Sequence, residues 1–233
     1  MKIIGHRGAA GPELENTLAS IQAGRKSGVD AIEIDVRLTK DGEFVLSHDP
    51  TLRRVSNSKL AISQNTSQAL RAVKLHNGES VVLLKDALQA IGDTPLFIEA
   101  KGNGWAKALA KQLRTGTYHC DVTVIARDLE SLRQFHARMP HISTYLVQRF
   151  NPIDVMQALE DARRYRFTGI CLNFWLLNPL TYWRAMRNGL FVSVYTVDWQ
   201  WMARFLWKLF PDITITTNHP HQLLELRSKL LSK

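Results

Sequence analysis

Glu33 and Asp35 stand two apart in Ala31–Leu38, a run whose other positions, Ile32, Ile34, Val36 and Leu38, read as a buried strand. Side chains alternate along a strand, so both carboxylates face the same side. Two acids on one face repel each other unless something cationic lies between them. Glu99-Ala100-Lys101 repeats the spacing and places an acid and a cation on one face. Three carboxylates brought to one point make a hard, oxygen-rich cage suited to Mg²⁺ or Ca²⁺. Arg7 and Lys101 add fixed positive charge, which such a cage does not need and a phosphate does. Arginine grips two phosphate oxygens at once, and lysine acts as a point charge. His6 and His48 complete the set, because imidazole titrates near pH ~6.5 and serves as general acid or general base at neutral pH.

His48 reaches this set through a hairpin. Lys40-Asp41-Gly42 follows the acidic strand, and Asp-Gly is a strong turn signal. A two-residue loop at Asp41-Gly42 pairs Lys40 with Glu43, and counting back along the ladder sets Asp35 opposite His48. Directly opposed residues share a face.

The elements that must hold these residues alternate along the chain. Strands are expected at Lys2–Gly5, Ala31–Leu38, Pro95–Ala100, Val122–Ala126, Ile142–Val147, Ile170–Leu172, Phe191–Val197 and Ile213–Thr216. Helices are expected at Asn16–Ser27, Leu83–Ile91, Trp105–Leu113, Leu129–Met139, Pro152–Tyr165, Pro179–Asn188, Trp199–Phe210 and Gln222–Leu231. Eight strands, each followed by a helix, predict an α/β fold, a (β/α)8 TIM barrel over residues 1–233. An irregular polar segment, roughly 50–81, forms a small insertion after the second strand. In such a barrel the active site lies at the carboxyl ends of the strands. Those ends carry His6-Arg7, Glu33 and Asp35, Glu99 and Lys101, then Gln148, Asn173, Asp198 and Asn218.

Bulk composition narrows the function classes. Thirty Lys and Arg against 21 Asp and Glu leave a net charge of +9, which favours an anionic partner. The basic residues are scattered and form no nucleic-acid module, so no nucleic-acid partner is expected. The two cysteines, Cys120 and Cys171, have neither metal-ligand nor redox spacing and read as reduced core residues. No apolar run is long enough to span a bilayer and no signal peptide is evident, so the expectation is a cytoplasmic protein without stable membrane insertion.

Several residues have simpler readings. Gln148 and Asn173 end strands and serve equally as loop caps, while Asp198 reads as the cap of the helix beginning at Trp199, with Asn218 similar. His76, His119, His136, His141, His219 and His221 read as surface or loop residues. Met202, Phe205, Leu206, Leu209 and Phe210 have core spacing. Trp175, Trp199 and Trp201 fall just beyond strand ends, where they wall the pocket or merely cover the rim. Arg53, Arg54, Lys59, Arg71 and Lys74 read as a solvated face.

The opening GHRGAAGPELENT, the EIDVRLTKDG block with VLSHDPTLRR, and FIEAKG resemble the glycerophosphodiester phosphodiesterase family. The resemblance runs nearly end to end and is most specific in the first half. It implies metal-dependent hydrolysis of glycerophosphodiesters to sn-glycerol 3-phosphate and an alcohol. His6 and His48 resemble the family's acid/base pair, and Arg7 its phosphate contact. Glu33, Asp35 and Glu99 resemble its metal ligands, Lys101 a further phosphate or metal-site residue, and Gln148 falls among the substrate-facing positions. The chain departs from the family at Asp198, where Asn is usual, and at Thr-Asn-His-Pro, where Thr-Asp-x-Pro is usual. Two alternatives stand beside this reading: a phosphodiesterase of the same fold directed at lysophospholipids, and a catalytically silent phosphoester-binding domain.

Overall fold

The structure, a computed structural model, describes residues 1–148 and 152–232. Nine strands and nine α-helices succeed one another among the described residues: β1 (Lys2–Gly5), α1 (Leu18–Ser27), β2 (Ala31–Leu38), β3 (Phe44–Leu46), α2 (Ser67–Arg71), α3 (Leu84–Ile91), β4 (Leu96–Lys101), α4 (Ala106–Thr115), β5 (Val122–Ala126), α5 (Leu129–Arg138), β6 (Ser143–Gln148), α6 (Pro152–Arg164), β7 (Gly169–Asn173), α7 (Pro179–Arg187), β8 (Phe191–Tyr195), α8 (Gln200–Leu209), β9 (Thr214–Thr217) and α9 (Pro220–Leu231). The sheet order β1-β9-β8-β7-β6-β5-β4-β2 closes on itself through β1–β2 pairing, and β3 hangs antiparallel on β2. Setting β3 aside leaves eight parallel strands in a closed barrel, the (β/α)8 architecture that the alternation predicts.

The strands are apolar on both faces because helices cover the outside and a second set of side chains fills the inside. Phe97, Ile125, Tyr145, Val147, Cys171 and Tyr195 form that inner cluster. Cys120 and Cys171 are both free and buried, as their spacing implies. Thr17 starts α1 with a capping box, accepting from Ser20 N while its own amide donates to Ser20 Oγ. No helix is long and apolar enough to cross a membrane among the described residues.

Two sequence expectations need correction. Phe205 and Leu209 are not core: they are 53% and 48% exposed, while Met202, Leu206 and Phe210 are buried. Their spacing is helical, but the stripe they continue runs along the outside of α8. The hairpin register is also one residue away from the expected one. Leu38 pairs with Phe44 and Val36 with Leu46, so Ser47 lies against Asp35 and donates its amide to the Asp35 carbonyl (3.0 Å). The loop has three residues, Lys40-Asp41-Gly42, between the paired Thr39 and Glu43, with Gly42 in the left-handed region at φ 82°. That is the geometry of a three-residue hairpin, in which a glycine accepts the positive φ.

Beyond the hairpin, residues 50–81 fold around a cluster of their own. Leu52, Ile62, Leu70, Leu75 and Val81 pack on Val45 and Leu83, so the apolar residues of this segment turn inward. Asp41 ties the hairpin tip to α2: its carboxylate accepts from Ser67 N (2.9 and 3.1 Å), Ser67 Oγ (2.8 Å) and Thr39 Oγ1 (2.6 Å). The Thr39 hydroxyl, with help from Ser67, holds the Asp41 carboxyl down at about 2. Its folded pKa is below the unfolded value, so its contribution is present above pH ~4 and is lost as pH falls toward about 2. Asp41→Ala should cost about 1 kcal/mol, the usual net worth of an intramolecular hydrogen bond. Urea titrations should show that cost at neutral pH and a narrowing gap from wild type below pH ~4; a gap independent of pH would contradict the charged tie.

Candidate active site

Parallel register brings the acids together. Asp35 on β2 is the register partner of Glu99 on β4, and Arg37 that of Lys101. Glu33, Asp35 and Glu99 each offer one oxygen, and the three oxygens lie within 4.8 Å of one another. Asp35 is fully buried, and Glu33 is 3% exposed. Asp35 is held from three directions: Arg7 Nε lies 3.1 Å from Oδ2, Lys101 Nζ lies 2.9 Å from Oδ1, and Asn16 Nδ2 donates to Oδ2 (2.9 Å). Asn16 also accepts the Asp35 amide through Oδ1 (3.0 Å), clamping backbone and side chain together. Arg7 and Asn16 both adopt the left-handed region, at φ 51° and 56°. The loop after β1 folds tightly over the strand, since a Cβ at Gly5 would lie 2.1 Å from the Gly8 carbonyl. This fold aims the Arg7 amide at Glu33 Oε2 (2.9 Å).

The charges divide unevenly. Burial, then the neighbouring Asp35 and Glu99, push the Glu33 carboxyl well above its ordinary range. For Asp35, burial pushes the same way but Lys101 and Arg7 outweigh it, so its carboxyl is held low. Glu33 Oε1 is buried without a hydrogen-bond partner. Lys101 Nζ bridges Glu99 Oε1 (2.6 Å) and Asp35 Oδ1. An orphaned oxygen in an all-oxygen set, with the next two oxygens already drawn to an ammonium, fits a divalent cation. Glu33, Asp35 and Glu99 are the residues that could hold it.

The two histidines flank this cage by different means. His6 Nδ1 lies 2.7 Å from Asn218 Oδ1. Asn218 in turn donates Nδ2 to Asp198 Oδ2 and its amide to Asp198 Oδ1, both at 2.8 Å. An ionised carboxylate only accepts, so the Asn218 amide must turn its oxygen toward His6. His6 Nδ1 therefore carries the hydrogen, an assignment inferred from the network, and Nε2 presents its lone pair. His48 Nδ1 pairs instead with Asp49 Oδ1 (2.7 Å), and its carbonyl accepts two bonds from the Arg37 guanidinium (2.9 and 2.7 Å). That grip, rather than strand pairing, turns His48 back over β2. Burial first, then nearby cations, lowers the pKa of both imidazoles.

A cavity of about 250 Å³ opens between them, lined by His6, Arg7, His48, Glu99 and Lys101. Arg127, Asn173, Phe174, Tyr195 and Thr196 close its far side. Arg54 is exposed, as read from sequence, and also belongs to the support of this cavity. It donates to Asp49 Oδ2 (2.6 Å) and to both oxygens of Glu15 (2.6 and 2.8 Å), which also accept from Arg7 Nη1 (2.8 and 2.9 Å). Burial opposes ionisation of Glu15 and Asp49, but these hydrogen bonds outweigh it and hold both carboxyls low.

A sequence profile of the glycerophosphoryl diester phosphodiesterase family matches residues 6–221. The chain belongs to that family. It is 25% identical over 241 residues to the glycerophosphodiester phosphodiesterase of Caldanaerobacter subterraneus subsp. tengcongensis, covering 97% of this chain and 98% of the relative. It is also 36% identical over 115 residues to human lysophospholipase D GDPD1, covering 44% of this chain and 37% of the relative. Among solved structures, an Oleispira antarctica phosphodiesterase in complex with the product sn-glycerol-3-phosphate superposes with a TM-score of 0.89 at 20% identity. The match covers 98% of this chain and 97% of that one. Family membership makes the chain an enzyme, a phosphoric diester hydrolase, and the family's divalent-metal dependence agrees with the acidic cluster.

Within this phosphodiesterase, the structure brings His6, Arg7, Glu33, Asp35, His48, Glu99 and Lys101 to one place. Gln148 is not among the residues lining the cavity; its carbonyl accepts the Tyr195 hydroxyl (3.0 Å). Asn173 lines the cavity and also caps the following turn, accepting from Trp175 N (3.2 Å). Asp198 does not cap α8, whose N-cap, Trp199, makes no side-chain cap bond; it binds Thr217 and Asn218 instead. Trp175, Trp199 and Trp201 are exposed at the rim, and Phe174 rather than a tryptophan walls the cavity. His136 is not a free surface residue either, since Nδ1 meets Thr144 Oγ1 (3.1 Å). Arg127 and Tyr195 had no sequence signal beyond their place at strand ends. Asp198→Leu should release the Asn218 amide. Nitrogen NMR shifts of the His6 ring should then move from an Nδ1-H form toward a tautomer mixture, and an unchanged spectrum would refute the relay.

Proposed function

We propose that this enzyme hydrolyses glycerophosphodiesters to sn-glycerol 3-phosphate and an alcohol, using Mg²⁺ or Ca²⁺ held by Glu33, Asp35 and Glu99. The observation that carries the reading is a cluster of three carboxylates with oxygens within 4.8 Å of one another, whose member Glu99 lines one small cavity together with two oriented imidazoles. Arg7 and Lys101 line that cavity and supply the cationic contacts for a phosphodiester oxygen. One imidazole takes the proton of the attacking hydroxyl, and the other returns a proton to the departing alkoxide. The attacking hydroxyl is the substrate's own glycerol 2-hydroxyl, and water then opens the resulting cyclic phosphate. A divalent ion in the carboxylate cage supplies charge that offsets the negative charge building on the phosphoryl oxygens. Both histidines are retained with orienting partners, which speaks against a silent binding domain.

The test is hydrolysis of glycerophosphocholine with and without chelator. Activity should vanish with chelator and return on adding Mg²⁺ or Ca²⁺. Asp35→Asn should be inactive under both conditions, and His6→Ala and His48→Ala should each lose on the order of 10²–10⁴ in kcat. Full activity of chelator-treated wild type would sink the metal assignment.

The exposed tryptophans at the rim keep a lysophospholipid reading in play. An acyl chain draws about 0.8 kcal/mol per CH₂ from apolar burial and needs a continuous trough. The apolar side chains of 50–81 are committed to their own cluster, and the polar cavity of about 250 Å³ suits a small hydrated diester. Glycerophosphocholine should therefore exceed monomeric lysophosphatidylcholine in kcat/KM. A tenfold advantage for the lysolipid, about 1.4 kcal/mol in transition-state binding, would reverse the preference.

A further inference from the structure

We propose that the outward faces of α7 and α8 dock this protein on an anionic lipid bilayer surface. The proposal rests on the surface itself and stands whatever diester the site cleaves. Five of the six tryptophans fall between Phe174 and Pro211, and four of these, Trp175, Trp183, Trp199 and Trp201, are exposed. On α8 the exposed apolar residues recur at helical spacing, Trp201 (65%), Phe205 (53%) and Leu209 (48%), while Met202, Leu206 and Trp207 supply the buried face. The helix is thus apolar on both sides, and only one side has the barrel to cover it. At 100° per residue the outer stripe and the exposed Arg204 and Lys208 share one arc of about 140°.

The neighbouring helix α7 repeats the arrangement. Leu180 and Trp183 are exposed, and Arg187 lies over the Trp183 ring, 4.6 Å from its centroid. The two helices adjoin, since Tyr182 packs on Phe210 at the end of α8 with centroids 5.0 Å apart. Two more exposed tryptophans stand at the catalytic mouth, Trp175 and Trp199. Phe174 stacks on Trp175 (4.5 Å) and meets Trp199 edge-on (6.2 Å) while lining the cavity.

The composition identifies the occupant. Between Phe174 and Asp212 four cations, Arg184, Arg187, Arg204 and Lys208, stand against two acids, Asp198, whose oxygens are bound to Thr217 and Asn218, and Asp212, which accepts from the Tyr182 hydroxyl (3.3 Å). Tryptophan interleaved with arginine and lysine suits the interfacial zone of a membrane, where the rings sit at headgroup depth and the cations face anionic lipid. A second copy of this chain fits less well, because it would set these cations against each other in a molecule already carrying +9.

Co-sedimentation with vesicles decides the matter, comparing phosphatidylglycerol–phosphatidylcholine mixtures with pure phosphatidylcholine. The wild type should partition onto the anionic vesicles, and less so as salt is raised. Arg204→Gln/Lys208→Gln should weaken binding at low salt by roughly fivefold per cation. Trp201→Ser/Phe205→Ser should weaken it at least tenfold at every salt concentration. Both double variants should keep the wild-type unfolding midpoint, since all four side chains are exposed. Equal binding to neutral and anionic vesicles, or binding untouched by either variant, would overturn the proposal. So would a concentration-dependent dimer that Trp201→Ser/Phe205→Ser dissolves in a protein with no vesicle affinity.

Discussion

A carboxylate with no access to water sets the terms for this molecule. Asp35 lies fully buried among Arg7, Lys101 and Asn16. Moving a charge out of water costs several kcal/mol, and removing one partner of a buried pair typically costs about 3–5 kcal/mol. The surroundings are built to avoid that cost. The loop after β1 brings two residues into left-handed backbone so that Arg7 and Asn16 both reach Asp35. The β2–β4 register then sets Lys101 within range and lines up Glu99 beside Asp35. Glu33, two residues earlier, has the Arg7 amide and, at 3.9 Å, His6 Nε2 beside Oε2, and its Oε1 is without a hydrogen-bond partner. The same strand thus carries one carboxylate compensated by two cations and one without a cation at either oxygen, and the second is what a bound cation would fill.

The imidazoles show the same economy with neutral and charged partners. His6 is oriented at Nδ1 by an amide oxygen that is itself fixed by Asp198, so the Asp198 charge stays one residue away from the ring. His48 meets its carboxylate directly, but Arg54 shares that carboxylate. Carboxylates stand near both rings, Glu33 Oε2 lying 3.9 Å from His6 Nε2, yet burial keeps the proton affinity of both below the ordinary histidine value.

The parts of this design that follow local rules were legible in the sequence. Alternation of apolar runs disclosed the barrel, and the i, i+2 spacing of Glu33 with Asp35 and of Glu99 with Lys101 disclosed the inward face. What sequence did not yield depends on a single residue of loop length or on partners far along the chain. One extra loop residue at Lys40 shifted the hairpin ladder, yet His48 still arrived at the site because Arg37 holds its carbonyl. Asp198 looked like a helix cap because it precedes a helix; its real partners, Thr217 and Asn218, are about twenty positions away. Arg54 is solvated, as its setting implies, but nothing local to it reveals Glu15. Phe205 and Leu209 looked like core because helical spacing reports a stripe without saying which way the stripe faces.

Glu15 lies between Arg7 and Arg54, receiving two hydrogen bonds from each. Through it the loop after β1 and the segment after β3 become one mechanical piece, although nearly forty residues separate Glu15 from Arg54. Modularity in this fold therefore does not follow the chain. A chimera that exchanged only residues 50–81 would import a segment without its anchor and leave Glu15 facing a single guanidinium. The unit that can be transplanted is discontinuous, made of the first loop and the insertion together, with Glu15 as the seam.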